Sequence, residues 1–238
     1  MYVGKSYKIS EFLVWTRKSI YLLLFLGITP VVLYQILGLK WIGIPWTVVG
    51  LLGTATAFIV GFKNTQTYNR TWEAYQIWTA ILSSSRAWGT MSRDFLNNPL
   101  KTKELIYRHL AWLTVMRYQM RDDRIWESTR KKYNLEYQQF YSIPEQENTL
   151  EAQLALYLSP HDLQHILKAE NKASQIMALQ SKTIKKLYAD TTIVVLQFVE
   201  MQRAIKDFYV QQGRSEHIKN SPYPRQYAII NTLLVNLF

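Results

Sequence analysis

The stretch SIYLLLFLGITPVVLYQILGL, residues 19–39, decides the fold of this chain. It runs for 21 residues without a charged side chain. An α-helix of about 20 apolar residues is long enough to cross the hydrocarbon core of a bilayer. The stretch therefore predicts a membrane-spanning helix, and Pro30 inside it predicts a kink of the kind that membrane helices tolerate.

A second apolar run, PWTVVGLLGTATAFIVGF at residues 45–62, follows after a short turn. Pro45 suits the first turn of a helix, because the N–H that it lacks would have no partner there. Trp41 and Trp46 flank the turn, and Trp is enriched where a membrane meets water. The two runs predict a helical hairpin with helices at about 19–39 and 45–62.

Basic residues predict the orientation of this hairpin. Arg17, Lys18, Lys63 and Arg70 lie at its open ends, whereas only Lys40 lies in its turn. Cytoplasmic flanks of membrane helices carry the excess of Lys and Arg. We therefore expect a multi-pass protein of the cell membrane, with its N-terminus and the bulk of the chain in the cytoplasm.

The fold class predicted from these patterns is an all-α membrane protein. The region after the hairpin is polar with helical periodicity, including a helix at about 175–211, and Pro222 and Pro224 mark a break before the last apolar run. That run, 227–238, has 12 residues and is too short to cross a bilayer. The predicted parts are a cytoplasmic N-terminal segment at 1–18, the hairpin at 19–62, a helical cytoplasmic region at 63–225, and the start of a third membrane helix at 226–238.

Composition narrows the possible partners and chemistry. The formal net charge is +11, which suits nucleic acid, an anionic membrane surface or anionic solutes. Nucleic acid is the least favoured, because no long basic run or nucleic-acid-binding motif accompanies the charge. The chain has no cysteine, so disulfides, thiolate metal sites and cysteine nucleophiles are excluded.

Catalytic and metal-binding patterns are weak. His161 and His165 have the i, i+4 spacing of a metal pair, but the sequence suggests no third ligand. Ser159 and Pro160 explain this stretch as a helix start, because Ser is a preferred N-cap and Pro a preferred first helical residue. We predict no enzyme, no metal and no cofactor.

A stripe of Thr54, Phe58 and Phe62 follows one face of the second apolar helix at i, i+4, i+8. A neighbouring stripe at the same spacing is made of Gly53, Ala57 and Gly61. Small residues let another membrane helix approach closely. The Phe stripe has two interpretations: rings stacked around the axis of several subunits, or side chains that face lipid or a core.

Two motifs together identify a family resemblance. The first is GFKN at 61–64 with YNR at 68–70 and WEA at 72–74, directly after the second apolar helix. The second is IKNSPYP at 218–224, directly before the third apolar run. In this order and context they resemble the bestrophin family, especially its bacterial branch, over roughly residues 19–238.

The resemblance implies a pentamer of largely helical subunits around one central pore. It implies an apolar neck lined by the second membrane helix, where Thr54, Phe58 and Phe62 match the neck positions. Family members often have a larger apolar residue at the position of Thr54, so we expect that end of the neck to be wider or wetter. The family normally continues through further membrane segments. The chain is therefore expected to be a fragment or a natural truncation, and calcium gating is not carried over.

The resemblance also implies a second constriction at the cytoplasmic exit. Counting back from the IKNSPYP motif places it near Leu196, on the helix predicted at 175–211, although that helix also needs core residues. Arg70 and Glu73 are three apart and could pair as a juxtamembrane anchor, or they could shape the field of an inner vestibule. Lys63 could raise the local anion concentration if it faces the pore.

The function predicted from sequence is a subunit of a homo-oligomeric ion channel. It would pass small monovalent ions through a Phe-lined neck, with chloride or other anions favoured. The alternatives are a cation-conducting relative and a non-conducting membrane-anchored protein with a structural or interaction role. The expected partners are further copies of the chain, the lipid bilayer and small ions.

Overall fold

The computed structural model describes residues 9–127, 129, 131–138 and 142–237, and the regular structure in these residues is helical. A short 3-10 helix, Lys40–Ile42, lies between the first two α-helices. The α-helices are α1 (Ile9–Gln35), α2 (Trp46–Asp94), α3 (Pro99–Arg121), α4 (Lys132–Gln138), α5 (Pro144–Glu147), α6 (Leu150–Leu154), α7 (Pro160–Leu167), α8 (Lys172–Ala189), α9 (Val195–Asn220) and α10 (Arg225–Leu237).

Contacts divide the chain into two units, each described here by itself. The first contains residues 1–63, 125–142 and 224–238, and the second contains residues 64–124 and 143–223. The helix α2 contributes to both units, since it is 49 residues long and continues past the predicted end at 62 to Asp94. It continues because residues 63–94 contain no proline that would remove a backbone hydrogen bond.

In the first unit, α1 begins ten residues earlier than the predicted start at residue 19 and ends four residues earlier than the predicted end at 39. The early start is physically simple, because the added residues have neither Pro nor Gly. The helix ends where Gly38 adopts φ +67°, a left-handed conformation that glycine accepts without strain. Pro30 lies inside α1, and the helix continues on both sides of it.

Among the described residues, two helices are long and apolar enough to cross a membrane: α1, over Phe12–Gln35, and α2, Trp46–Asp94. None of the residues in their apolar windows is buried within the chain. Leu23, for example, is 67% exposed. Contiguous apolar surface of this kind requires an apolar partner, such as lipid or another subunit. Within the same unit, α10 lies beside α2, where the Thr56 hydroxyl is 3.5 Å from the carbonyl oxygen of Leu234.

The second unit has a core of its own, in which α3 packs against α8 and α9. Trp88, Trp112 and Phe208 are among its largest fully buried side chains. His109 lies among them, with its ring centroid 5.4 Å from that of Trp112 and 4.6 Å from that of Phe208. Its Nε2 is 2.9 Å from the Ser85 hydroxyl oxygen, and burial lowers the pKa of His109 to about 4.

The single helix predicted at 175–211 is wrong: two helices, α8 and α9, occupy this stretch. The chain turns between them at Thr191, which has φ +55°, within the β-branched run TTIVV at 191–195. Branching at Cβ and the left-handed residue both disfavour a continuing helix. The Ser181 hydroxyl then donates to Gln202 at 3.1 Å and the Gln212 amide donates to Ser174 at 2.9 Å, so the helices are antiparallel.

Two further stretches, the helix start at Ser159 and the charged residues 121–148, can be compared with the sequence. The helix start at Ser159 is confirmed, since the Ser159 hydroxyl oxygen accepts a hydrogen bond from the backbone N–H of Asp162 at 3.2 Å. The charged stretch 121–148 contains the short helices α4 and α5, and Pro144, which could equally suit a loop, is the first residue of α5. The described residues between 125 and 142 belong to the first unit, where α4 contacts α1, although the sequence predicted them within one cytoplasmic region.

Candidate pore-lining site

The helix α2 carries the predicted neck residues on one continuous face. The rings of Phe58 and Phe62 lie 4.7 Å apart between centroids at an angle of 88°, and both side chains are exposed. Such an edge-to-face pair is a favourable aromatic contact. The Thr54 hydroxyl donates to the Gly50 carbonyl oxygen of its own helix at 2.8 Å. This face therefore presents two rings in contact and one threonine whose hydroxyl hydrogen is already bound.

In the small-residue stripe beside the Phe stripe, Gly53 is half-buried, whereas Ala57 and Gly61 are exposed. A Cβ added to Gly61 would meet nothing within 4 Å in the single chain. The Phe58 side chain is 68% exposed in the single chain. The apolar part of α2 thus exposes its Phe stripe together with Ala57 and Gly61 of the small-residue stripe.

Arg70 has other partners than the predicted one. Its guanidinium donates to the backbone carbonyl oxygens of Ile218 and, at 2.8 Å, Ser221. Glu73 instead lies 4.0 Å from Arg214. The last carbonyls of a helix lack intrahelical partners and attract cations, so Arg70 caps the C-terminal end of α9. Of the two interpretations that the sequence left open, the salt bridge between Arg70 and Glu73 is replaced by these contacts, and a role in the field of a vestibule stays a prediction.

This cap joins the two motifs that carry the family resemblance. Arg70 belongs to YNR at 68–70, and its acceptors belong to IKNSPYP at 218–224. The sequence shows the motifs but no local signal that they meet, because about 150 residues separate them along the chain. Lys63, one residue after Phe62, is exposed on α2.

Leu196 lies in the first turn of α9, not inside a long helix as predicted. It is 68% exposed, and its neighbours Val194 and Val195 are exposed too. The backbone N–H of Val194 donates to the Gln197 side-chain oxygen at 3.0 Å, which fixes this helix start. Leu196 is therefore not a core residue of the second unit.

These features are those of a helical membrane protein. It has two helices of membrane-spanning length, and the aromatic stripe on the second is exposed in the single chain. The chain belongs to the bestrophin family. The family described as Bacterial/Fungal Bestrophin protein matches residues 14–238, which confirms the resemblance drawn from the two motifs.

Among curated proteins, the chain is similar to the voltage-dependent anion channel-forming protein YneE of Escherichia coli. Identity is 23% over 205 residues for the protein of strain O157:H7, covering 86% of this chain and 58% of that protein. The K12 protein matches with the same identity and coverage. The chain thus spans a little over half the length of the curated relatives it matches.

Among solved structures, the chain resembles a bacterial bestrophin homolog from Klebsiella pneumoniae. One crystal structure of that homolog has a TM-score of 0.68 at 20% identity, covering 96% of this chain and 73% of that one. A point variant of the homolog has a TM-score of 0.73 at 20% identity, covering 92% and 74%. The likeness confirms the predicted all-α membrane fold.

Proposed function

We propose that the chain is a subunit of a homo-oligomeric ion channel, that anions such as chloride are favoured, and that it is not an enzyme. The observation that carries the proposal is the exposed, mutually contacting pair of Phe58 and Phe62 on the membrane part of α2. The anion channel-forming activity in the name of the similar Escherichia coli protein supports it.

The neck is formed by Thr54, Phe58 and Phe62 of each subunit. One hairpin cannot enclose a pore, so several copies surround the axis, and a pentamer fits the family. The Gly61 stripe lets neighbouring helices approach closely enough for the rings to converge. A ring of phenylalanines makes a narrow apolar constriction that can close by losing its water.

Anion preference has two physical sources. The edges of phenyl rings carry partial positive charge, so edges turned toward the axis attract an anion weakly and release it readily. The net charge of +11 adds a general attraction, and Lys63 next to the neck is its nearest contributor along the chain. Charges farther than about 8 Å from the ion are screened at physiological salt, so the neck outweighs the remote charge.

Leu196 forms a second constriction. The support is its 68% exposure in the first turn of a helix whose neighbouring residues are also apolar and exposed. The N-terminus of α9 carries a partial positive charge from the helix dipole, which suits an anion passing the aperture. The basic residues at the open ends of the hairpin support an orientation with the N-terminus and most of the chain in the cytoplasm.

The main experiment replaces both Phe58 and Phe62 with alanine and measures chloride flux and reversal potential in liposomes under asymmetric salt. We expect higher flux and weaker anion preference, because the dry constriction widens. The matched control is Phe25→Ala, an equally exposed ring on α1 that should change neither quantity. Unchanged flux and selectivity in the double variant would remove these rings from the neck.

Three further measurements test the rest of the proposal. A strictly monomeric particle in detergent, by cross-linking and mass measurement, would contradict any pore built from hairpins. A reversal potential at the cation value would overturn the anion preference alone. For the aperture, Leu196→Ala should alter flux while the thermal midpoint stays unchanged, since exposed substitutions move stability by no more than about 0.5 kcal/mol.

A further inference from the structure

The segment 125–138 lies in the first unit, although it is distant in sequence from the hairpin. Its helix α4 contacts α1. Glu136 of α4 accepts hydrogen bonds from Lys18 at 2.8 Å and from Arg17 at 3.1 Å. The hydrogen bond from Lys18 lowers the pKa of Glu136, so its carboxylate is charged at neutral pH.

These ion pairs set the depth of α4 relative to a membrane. Arg17 and Lys18 immediately precede the charge-free run that starts at Ser19. Two charges directly before the charge-free part of a membrane helix lie at the level of the lipid headgroups, where basic side chains are stable. Because Glu136 contacts both charges, α4 lies at headgroup level too.

Apolar side chains of the segment are exposed at this level. Ile125 is 97% exposed, Leu135 48% and Trp126 41%. Trp is enriched at membrane–water interfaces. The segment is thus an interfacial stretch with apolar groups available to enter the acyl boundary.

The charge of the same region is positive. Residues 17–18 and 125–138 together contain five basic and two acidic residues. Lys131 and Lys132 are exposed at the start of α4. Basic residues near a membrane surface attract anionic headgroups by about 1 kcal/mol each.

From these observations we infer that the described part of residues 125–138, held on α1 by Glu136, forms a docking surface for anionic phospholipid headgroups. Lys131 and Lys132 supply attraction for the headgroup, while Ile125, Trp126 and Leu135 contact the acyl boundary. The inference rests on one part of the proposed function, that α1 crosses a membrane. It does not depend on ion conduction.

The absence of cysteine makes a single-site measurement possible. Ile125→Cys gives one position for an environment-sensitive fluorophore, and its 97% exposure means that the substitution removes little packing. The detergent-solubilised chain is titrated with brominated phosphatidylglycerol or with brominated phosphatidylcholine. Bromine quenches the fluorophore when lipid binds beside it. We expect the concentration of phosphatidylglycerol that quenches half of the fluorescence to be at least fivefold lower than the corresponding concentration of phosphatidylcholine.

Two charge variants separate headgroup recognition from general contact. Lys131→Gln together with Lys132→Gln should reduce the phosphatidylglycerol preference by about fivefold for each lysine. The matched arginine pair at both positions should keep the preference, because it keeps the charge. A glutamine pair that retains full preference, or wild-type lysines with equal quenching by the two lipids, would overturn the inference.

A fluorophore at a control position tests whether the lipid preference is specific to the proposed docking surface. Leu156→Cys is exposed in the second unit and should show no lipid preference. Equal preference there would also contradict the inference, and so would displacement of the lipid effect by inorganic phosphate. Chloride flux from the same protein separates the two proposals: flux without lipid preference contradicts only the docking surface, and lipid preference without flux contradicts only the channel.

Discussion

His109 makes the stability of the second unit dependent on pH. It is 4% exposed, and burial lowers its pKa from 6.5 to about 4. In the unfolded chain the same side chain gains its proton near pH 6.5. Between these two values the unfolded chain binds the extra proton, so acid favours unfolding.

The size of the effect follows from the difference between the two pKa values. The stability held by neutral His109 is complete above about pH 6.5 and is lost as the pH falls toward 4, by about 3 kcal/mol in total. Between about pH 7 and about pH 5 the loss is about 2 kcal/mol. For a unit of this size that corresponds to a fall in the thermal midpoint of roughly 4 to 8 °C.

The assay compares thermal midpoints of the purified chain with those of His109→Gln at the two pH values. The variant keeps every other titratable group. The change in thermal midpoint between the two pH values therefore differs between the two proteins only by the contribution of His109. On going from about pH 7 to about pH 5, we expect the thermal midpoint of the wild type to fall by roughly 4 to 8 °C more than that of the variant. His161→Gln, at an exposed histidine, should behave as the wild type does. An equal pH shift in wild type and His109→Gln would refute the reasoning.

Two other substitutions test contacts of the second unit. Arg70→Gln removes the charged cap of α9 and should cost about 1 kcal/mol, a fall of roughly 3 °C in the thermal midpoint that the control Arg86→Gln does not show. An unchanged midpoint would mean that the cap contributes nothing. Trp112→Phe removes the donor to Gln212, a 3.1 Å hydrogen bond in the core, and should cost about 1–3 kcal/mol. Exposed Trp126→Phe is the matched control, and equal midpoints for the two Phe variants would contradict the prediction.

The membrane helices and the family were accessible from sequence because their signals are local. A charge-free run of 21 residues indicates a spanning helix wherever it occurs. The family resemblance could be drawn from the two motifs and their order along the chain. The spacing of Thr54, Phe58 and Phe62 likewise placed them on one helix face, since a helix repeats every 3.6 residues.

The tertiary structure decided what each side chain contacts. The sequence allowed a pair between Arg70 and Glu73, because residues three apart share a face of a helix. In the structure Arg70 caps α9 from the other motif, and Glu136 meets Arg17 and Lys18 across more than 100 residues. The turn at Thr191 exposes Leu196, which a continuous helix would have placed elsewhere. Hydrophobic periodicity determines which residues share a face of a helix, but only packing between distant segments determines what that face touches.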